Sequence, residues 1–146
     1  MKTQATGIAV DGETRGNPGP SKYRGVDLAT YSTIFIVDIG IATNNIAEFC
    51  ALGHAIFYCI KHGISTTIYS DSQTAISWIR KKKANSKLPA SPKTERARDF
   101  VERIENALKD VSIEFDGVDI TVNNDIVVSK WYTSEWGEIP ADFGNK

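Results

Sequence analysis

The chain has 146 residues, a net charge of −1 and 41% apolar side chains without a long apolar run. That length suits one domain, 1–146, burying roughly two-thirds of its unfolded surface, and the composition excludes a transmembrane helix. Cys50 and Cys59 lie nine residues apart inside one predicted helix, so they read as core thiols in a reducing, cytoplasmic compartment and not as a disulfide or zinc site.

Met1-Lys2-Thr3-Gln4 is too polar and too short to open a signal peptide. Residues 6–11 predict a strand covered on both faces, since Ile8, Ala9 and Val10 are all apolar. Gly16-Asn17-Pro18-Gly19-Pro20 is a turn or loop. Tyr23 to Tyr31 and Thr33 to Ile39 read as two further strands, and the short gaps predict an antiparallel meander. Thr43 or Asn44 caps a helix in which Phe49, Leu52, Ile56, Cys59 and Ile60 share one face. His62-Gly63 ends it.

Thr66 to Tyr69 is a short buried strand. A second helix follows to about Lys83, with Ser70 and Gln73 at capping-box spacing. Asn85 to Pro92 is a polar linker, and Lys93 to Leu108 a third helix, with Phe100, Ile104 and Leu108 at i, i+4, i+8. Val111 to Val122 carries no clear period, although Asp116-Gly117 looks like a turn. Asp125 to Trp131 is the last strand, and Pro140 starts a short terminal helix. The order β-β-β-α-β-α-α-β-α predicts an α/β fold with a mixed five-stranded sheet flanked by helices.

Acidic residues recur at the ends of these elements. Asp11 and Asp71 each follow a strand. Glu48 sits near the start of the first helix, one turn before Leu52 and at the margin of the apolar face. Glu138 and Asp142 are four apart, so one helical turn would align them. Each has a plain structural alternative: a turn acid, an acid favoured by a helix dipole, or an N-cap. Taken together they suggest one convergent cluster around Asp11. Such a cluster calls for cations. Two Mg²⁺ ions suit all-oxygen ligands, with Asp11 as the shared bridge and phosphodiester hydrolysis as the chemistry.

Four blocks in order resemble type 1 ribonuclease H: Val10-Asp11 with Gly16-Asn17-Pro18-Gly19; Thr43-Asn44-Asn45-Ile46-Ala47-Glu48; Tyr69-Ser70-Asp71-Ser72-Gln73; and Trp136-Gly137-Glu138-Ile139-Pro140-Ala141-Asp142. The last block is similar to a bacterial subgroup that ends in this pattern before an aromatic residue and glycine, here Phe143-Gly144. The resemblance implies Asp11, Glu48, Asp71 and Asp142 as catalytic metal ligands. Glu138 would be a further acid that helps hold or release one ion. Two Mg²⁺ ions, replaceable by Mn²⁺, would act on the RNA strand of an RNA–DNA hybrid and leave 5′-phosphate and 3′-hydroxyl ends.

The resemblance also implies substrate contacts. Asn17 with the neighbouring Gly16 backbone, Asn44 and Glu48 match positions at sugars and backbone in the minor groove, where the 2′-hydroxyl marks RNA. Thr43, Asn45 and Thr133 match a phosphate pocket for the DNA strand. Trp78, about two helical turns or ~10 Å beyond Asp71, would press on a deoxyribose. Many members carry a histidine in the loop before the last aspartate. Here Tyr132-Thr133-Ser134-Glu135 has none, and neither has the matching subgroup.

The basic run Arg80-Lys81-Lys82-Lys83 suits either phosphate tracking or a solvated helix end. A monomer is expected, with no membrane association and no protein partner. Two other readings of the sequence stay open: a DNA-acting metal nuclease of the integrase, transposase or resolvase type, and a non-catalytic nucleic-acid-binding module.

Overall fold

A computed structural model describes residues 6–143; Met1–Gln4 and Gly144 of the closing motif lie outside the described residues. In chain order the elements are β1 (Ile8–Thr14), β2 (Gly19–Asp27), β3 (Thr33–Ala42), α1 (Asn44–His62), β4 (Thr67–Ser70) and α2 (Gln73–Lys81). A 3₁₀ turn (Pro92–Thr94) leads into α3 (Glu95–Leu108), then β5 (Ile113–Asp116), β6 (Asp119–Val122), β7 (Ile126–Lys130) and α4 (Thr133–Trp136).

The strands form one mixed sheet in the order β3-β2-β1-β4-β7-β6-β5. The first three make the expected antiparallel meander. β1, β4 and β7 are parallel neighbours at the centre. The sheet has seven strands where the sequence predicted five. The difference is the hairpin β5–β6, which turns at Gly117 with φ of +66°. Its first strand is mostly exposed, with the burial pattern of an edge, so it carried no apolar alternation to read.

β1 is covered on both faces, as its composition predicted. Ile8 and Val10 join a core with α1, α2 and α3, while Ala9 belongs to a second, smaller core with Val26, Leu28, Trp131, Ile139 and Ala141. α1, α2 and α3 therefore lie on one face, and the chain after β7, with α4, covers part of the other.

Phe49, Leu52, Ile56 and Cys59 of α1 are fully buried, but Ile60 is exposed at the helix end. Thr43 is the N-cap, accepting from the Ile46 N–H, and Gly63 closes the helix in the left-handed conformation. Cys50 and Cys59 are free buried thiols; burial pushes Cys50 up to about 12 and Cys59 up to about 11. No described helix is long and apolar enough to cross a membrane.

Three boundaries differ from expectation in ways that matter for the site. β1 runs on to Thr14, so Asp11 lies within the strand and not at its end. β2 covers Gly19–Asp27 and not 23–31, because the chain turns after Asp27, whose carboxylate accepts from the Ala29 N–H. Among the described residues Pro140 starts no helix: residues 139–142 form a single turn closed by the Asp142 N–H on the Ile139 carbonyl, and the short helix α4 comes earlier.

Candidate active site

The parallel pairing of β1 with β4 aligns Ile8 with Ile68 and Ala9 with Tyr69. Pairing stops there, but the same offset carried two residues further sets Asp11 level with Asp71. Both acids thus stand at the carboxyl ends of the central parallel contacts, where open α/β sheets offer a crevice. Asp11 is only 8% exposed.

Gly12 lets α1 come close enough to add a third carboxylate. A Cβ at Gly12 would stand 2.7 Å from the Ala47 Cβ and 2.9 Å from its carbonyl carbon. Helix and strand are therefore in backbone contact, and the Gly12 N–H donates to Glu48 Oε1 at 3.1 Å. Asp11, Glu48 and Asp71 each offer a carboxylate oxygen, all within 4.8 Å of one another. Gly12→Ala is expected to cost about 1–3 kcal/mol by overpacking and to push Glu48 outward; urea melts would register the loss.

Asp71 is held without spending its carboxylate on a cap. Ser72 is the N-cap of α2, its Oγ accepting from the Ala75 N–H at 3.1 Å, while Ser70 Oγ accepts from the Ser72 N–H. The predicted Ser70–Gln73 capping box is thus replaced by a Ser72 cap, because the helix starts two residues later than that box requires.

Glu138 and Asp142 lie on the segment after β7 and are not part of the group of three. The Trp131 indole N–H donates to the Gly137 carbonyl at 2.9 Å, and Trp136 packs edge-on against Trp131. Ile139 and Ala141 are fully buried. Arg24, the cross-strand partner of Asp11, donates through Nε to the Ala141 carbonyl and through Nη2 to the Asp142 carbonyl, both at 2.7 Å. Glu138 and Asp142 meet across a non-helical turn rather than on the helix that the sequence predicted.

The electrostatics follow from burying several like charges together. Burial, then the charges of Asp71 and Asp142, push Asp11 up to about 7, partly offset by hydrogen bonds with Glu48 and the Gly12 N–H. Glu48 is raised well above the ordinary range by burial first, then by Asp11 and Asp71. Asp71 is raised by burial with a contribution from Asp142, against which Lys130 acts. Glu138 is raised chiefly by its hydrogen bond to the Asp142 carboxyl. The structure thus brings three of the five predicted acids within 4.8 Å of one another, and Asp142 and Glu138 stand outside that group on the adjoining segment. Without a counterion the cluster is electrostatically frustrated. Its donor set is all carboxylate oxygen, which fits a hard divalent cation such as Mg²⁺ or Mn²⁺.

The predicted substrate residues separate into groups. Asn17 Oδ1 accepts from the Asn44 N–H at 2.9 Å, tying the β1–β2 loop to the start of α1. Gly16, Asn44, Asn45 and Thr133 are exposed, and Thr43 is half-buried at its cap. Trp78 is a correction: it is 8% exposed and packs edge-on against Phe49 in the core between α1 and α2. The two-turn spacing from Asp71 is real, but the helix turns that face inward.

The basic run is largely tied into the fold. Lys82 Nζ donates to the Val111 carbonyl, the Arg80 guanidinium lies 3.6 Å from the Phe115 ring centroid, and Lys83 stands 4.0 Å from Glu105. His54 accompanies Tyr23 and Phe35: its Nδ1 is 2.7 Å from the Tyr23 hydroxyl and its ring stacks on Phe35. Sequence reasoning missed Gly12, Arg24 and Lys130. Arg24 left one signal, a cation alternating with Lys22 in an otherwise buried strand.

Fold and site together define an α/β protein with a cluster of three carboxylates, which could hold a metal ion, at one end of its central strands. The sequence matches the RNase H family model over residues 3–119. The chain belongs to the RNase H family, a family of nucleases; Glu138 and Asp142 lie beyond the matched stretch.

Among solved structures, the chain is similar to the N-terminal RNase H domain of a Mycobacterium tuberculosis protein, with 21% identity, 86% of each chain covered and a TM-score of 0.47. It is similar to RNase H1 from Halobacterium salinarum NRC-1, with 22% identity, 86% and 83% coverage and a TM-score of 0.47. A third is LC11-RNase H1, solved in complex with an RNA/DNA hybrid, with 20% identity, 88% and 86% coverage and a TM-score of 0.49.

Proposed function

We propose that this chain is a divalent-metal-dependent endoribonuclease that hydrolyses the RNA strand of RNA–DNA hybrids without sequence specificity. The observation that carries the reading is the meeting of Asp11, Glu48 and Asp71 within 4.8 Å, in a chain of the RNase H family. These three side chains, with Asp142 and the outer Glu138, would hold two Mg²⁺ ions, and Mn²⁺ would substitute. When bound, the ions lower the pKa of water and stabilise charge on the leaving 3′ oxygen.

The chain's own residues bind and orient. Asp11, buried between its neighbours, would be the ligand common to the metal site. Glu48, fixed by the Gly12 N–H, would also meet a sugar of the RNA strand. The Asn17–Asn44 contact pins the loop whose backbone and side chains would follow the minor groove, reading 2′-hydroxyls and not bases. Thr43, Asn45 and Thr133 would meet phosphates of the DNA strand. The products are a 5′-phosphate and a 3′-hydroxyl. The unit acts as a monomer in the cytoplasm and matches the bacterial subgroup with the Trp-Gly-Glu-Ile-x-Ala-Asp ending.

A strand-labelled hybrid assayed beside duplex DNA and duplex RNA, with Mg²⁺ and then chelator, tests this directly. The expected result is cleavage of the RNA strand of the hybrid alone, stopped by chelation. Cleavage of duplex DNA would make the chain a DNA nuclease instead. Binding with no product in Mg²⁺ or Mn²⁺ would make it a non-catalytic module.

A further inference from the structure

We infer that Arg24 is a positioning residue that straps the Asp142 segment across the sheet and so sets the Asp142 carboxylate at the cluster. The inference rests on the proposed function for its catalytic consequence, but its structural part stands alone.

Arg24 lies on β2 directly opposite Asp11. Partners in an antiparallel pair point to the same face, so Arg24 leaves the sheet on the side where the C-terminal segment passes. One guanidinium there meets three successive carbonyls: Pro140 at 3.4 Å, Ala141 at 2.7 Å and Asp142 at 2.7 Å. The 139–142 turn, closed by the Asp142 N–H on the Ile139 carbonyl, aims those carbonyls at one point. A planar fork of fixed donors suits such a target, and a lysine ammonium suits it less well.

Phe143 extends the grip, with the Arg24 guanidinium carbon 5.1 Å and Lys22 Nζ 4.8 Å from its ring centroid. Apolar anchoring does not replace this strap. Ile139 and Ala141 are buried in the small core, which fixes alternate residues. The guanidinium fixes the peptide planes on either side of the Asp142 Cα, and these set where its side chain points. Asp142 in turn acts on Asp11, Asp71 and Glu138. A loosened turn would thus take a carboxylate away from the cluster while leaving the substrate surface of α1 in place.

The test compares Arg24→Gln and Arg24→Lys with the wild-type chain. In the metal-free proteins the amide of Asp142 should exchange about tenfold faster in Arg24→Gln, as local opening free energy falls, with the Val10 and Ile68 amides unchanged. In hybrid cleavage, the Mg²⁺ concentration for half-maximal rate should rise about tenfold and kcat should fall, with KM for hybrid unchanged. Arg24→Lys should lie between. Unchanged Asp142 exchange overturns the strap. A loss confined to KM also overturns it, since that marks direct contact with substrate. Should Arg24→Gln not fold, Arg24→Lys carries the same comparison. If the wild type cleaves no hybrid, the functional reading fails and the exchange measurement still decides the strap.

Discussion

Asp71→Asn is expected to abolish the proposed hybrid cleavage, by at least about three orders of magnitude, while the protein stays folded and still binds hybrid. The size follows from what is removed. Two-metal hydrolysis depends on ions held in register with the reacting phosphate, and loss of a single preorganised electrostatic contact in an active site already costs about 10²–10³ in rate. Losing a metal ligand removes both the contact and the ion's placement.

The fold tolerates the change because asparagine is nearly isosteric and Asp71 caps no helix; Ser72 does that. It also relieves repulsion, since Asp71 is among the causes that raise Asp11 and Glu48. Single-turnover cleavage of a labelled RNA strand, beside a gel-shift measurement of hybrid binding in Ca²⁺, separates the two effects. Turnover equal to wild type would remove Asp71 from the catalytic set.

The second large effect concerns stability without metal. Asp11→Asn should stabilise the metal-free protein at neutral pH, by on the order of a few kcal/mol. Folding lifts the Asp11 carboxyl from its ordinary 3.8 to about 7. Between those values the folded state holds a proton that the unfolded state has lost. Stability therefore falls as pH rises across that window and levels off above it. Glu48 and Asp71 are raised too and act in the same direction.

The metal-free wild type should thus melt higher at pH 5 than at pH 8, and Asp11→Asn should flatten that slope. Mg²⁺ is expected to reverse the order for the wild type, because protons would compete with it for the same oxygens. Saturation at a hundred times Kd adds about 2.7 kcal/mol. Melting curves at the two pH values, with chelator or Mg²⁺, measure all four conditions. Identical pH slopes for wild type and Asp11→Asn would show that the acids do not meet in solution as they do here.

The geometry also explains why Gly12 and Arg24 escaped notice while Asp11 and Asp71 did not. An acid after an apolar strand is a local pattern, legible in a few residues. The need for glycine at position 12 comes from Ala47, thirty-five residues away. The use of Arg24 comes from carbonyls more than a hundred residues on. Neither partner leaves a mark near the residue that needs it. Trp78 failed for a related reason: spacing along a helix gives the angle between two side chains, but not which side of the helix the core will take.

From its residues alone this chain declared its α/β class, the antiparallel opening meander, the apolar face of α1, and five acids placed to converge. These rest on period, capping and turn chemistry, which act over a few residues. Tertiary structure decided the rest: the β5–β6 hairpin at the exposed edge, the turn in place of a terminal helix at Pro140, and the burial of Trp78. It also decided the distances that make the acids one site. A carboxylate beside two others in a low-dielectric setting is a different chemical group from the same carboxylate in a loop, and only packing α1 against Gly12 and pairing β1 with β4 creates that setting.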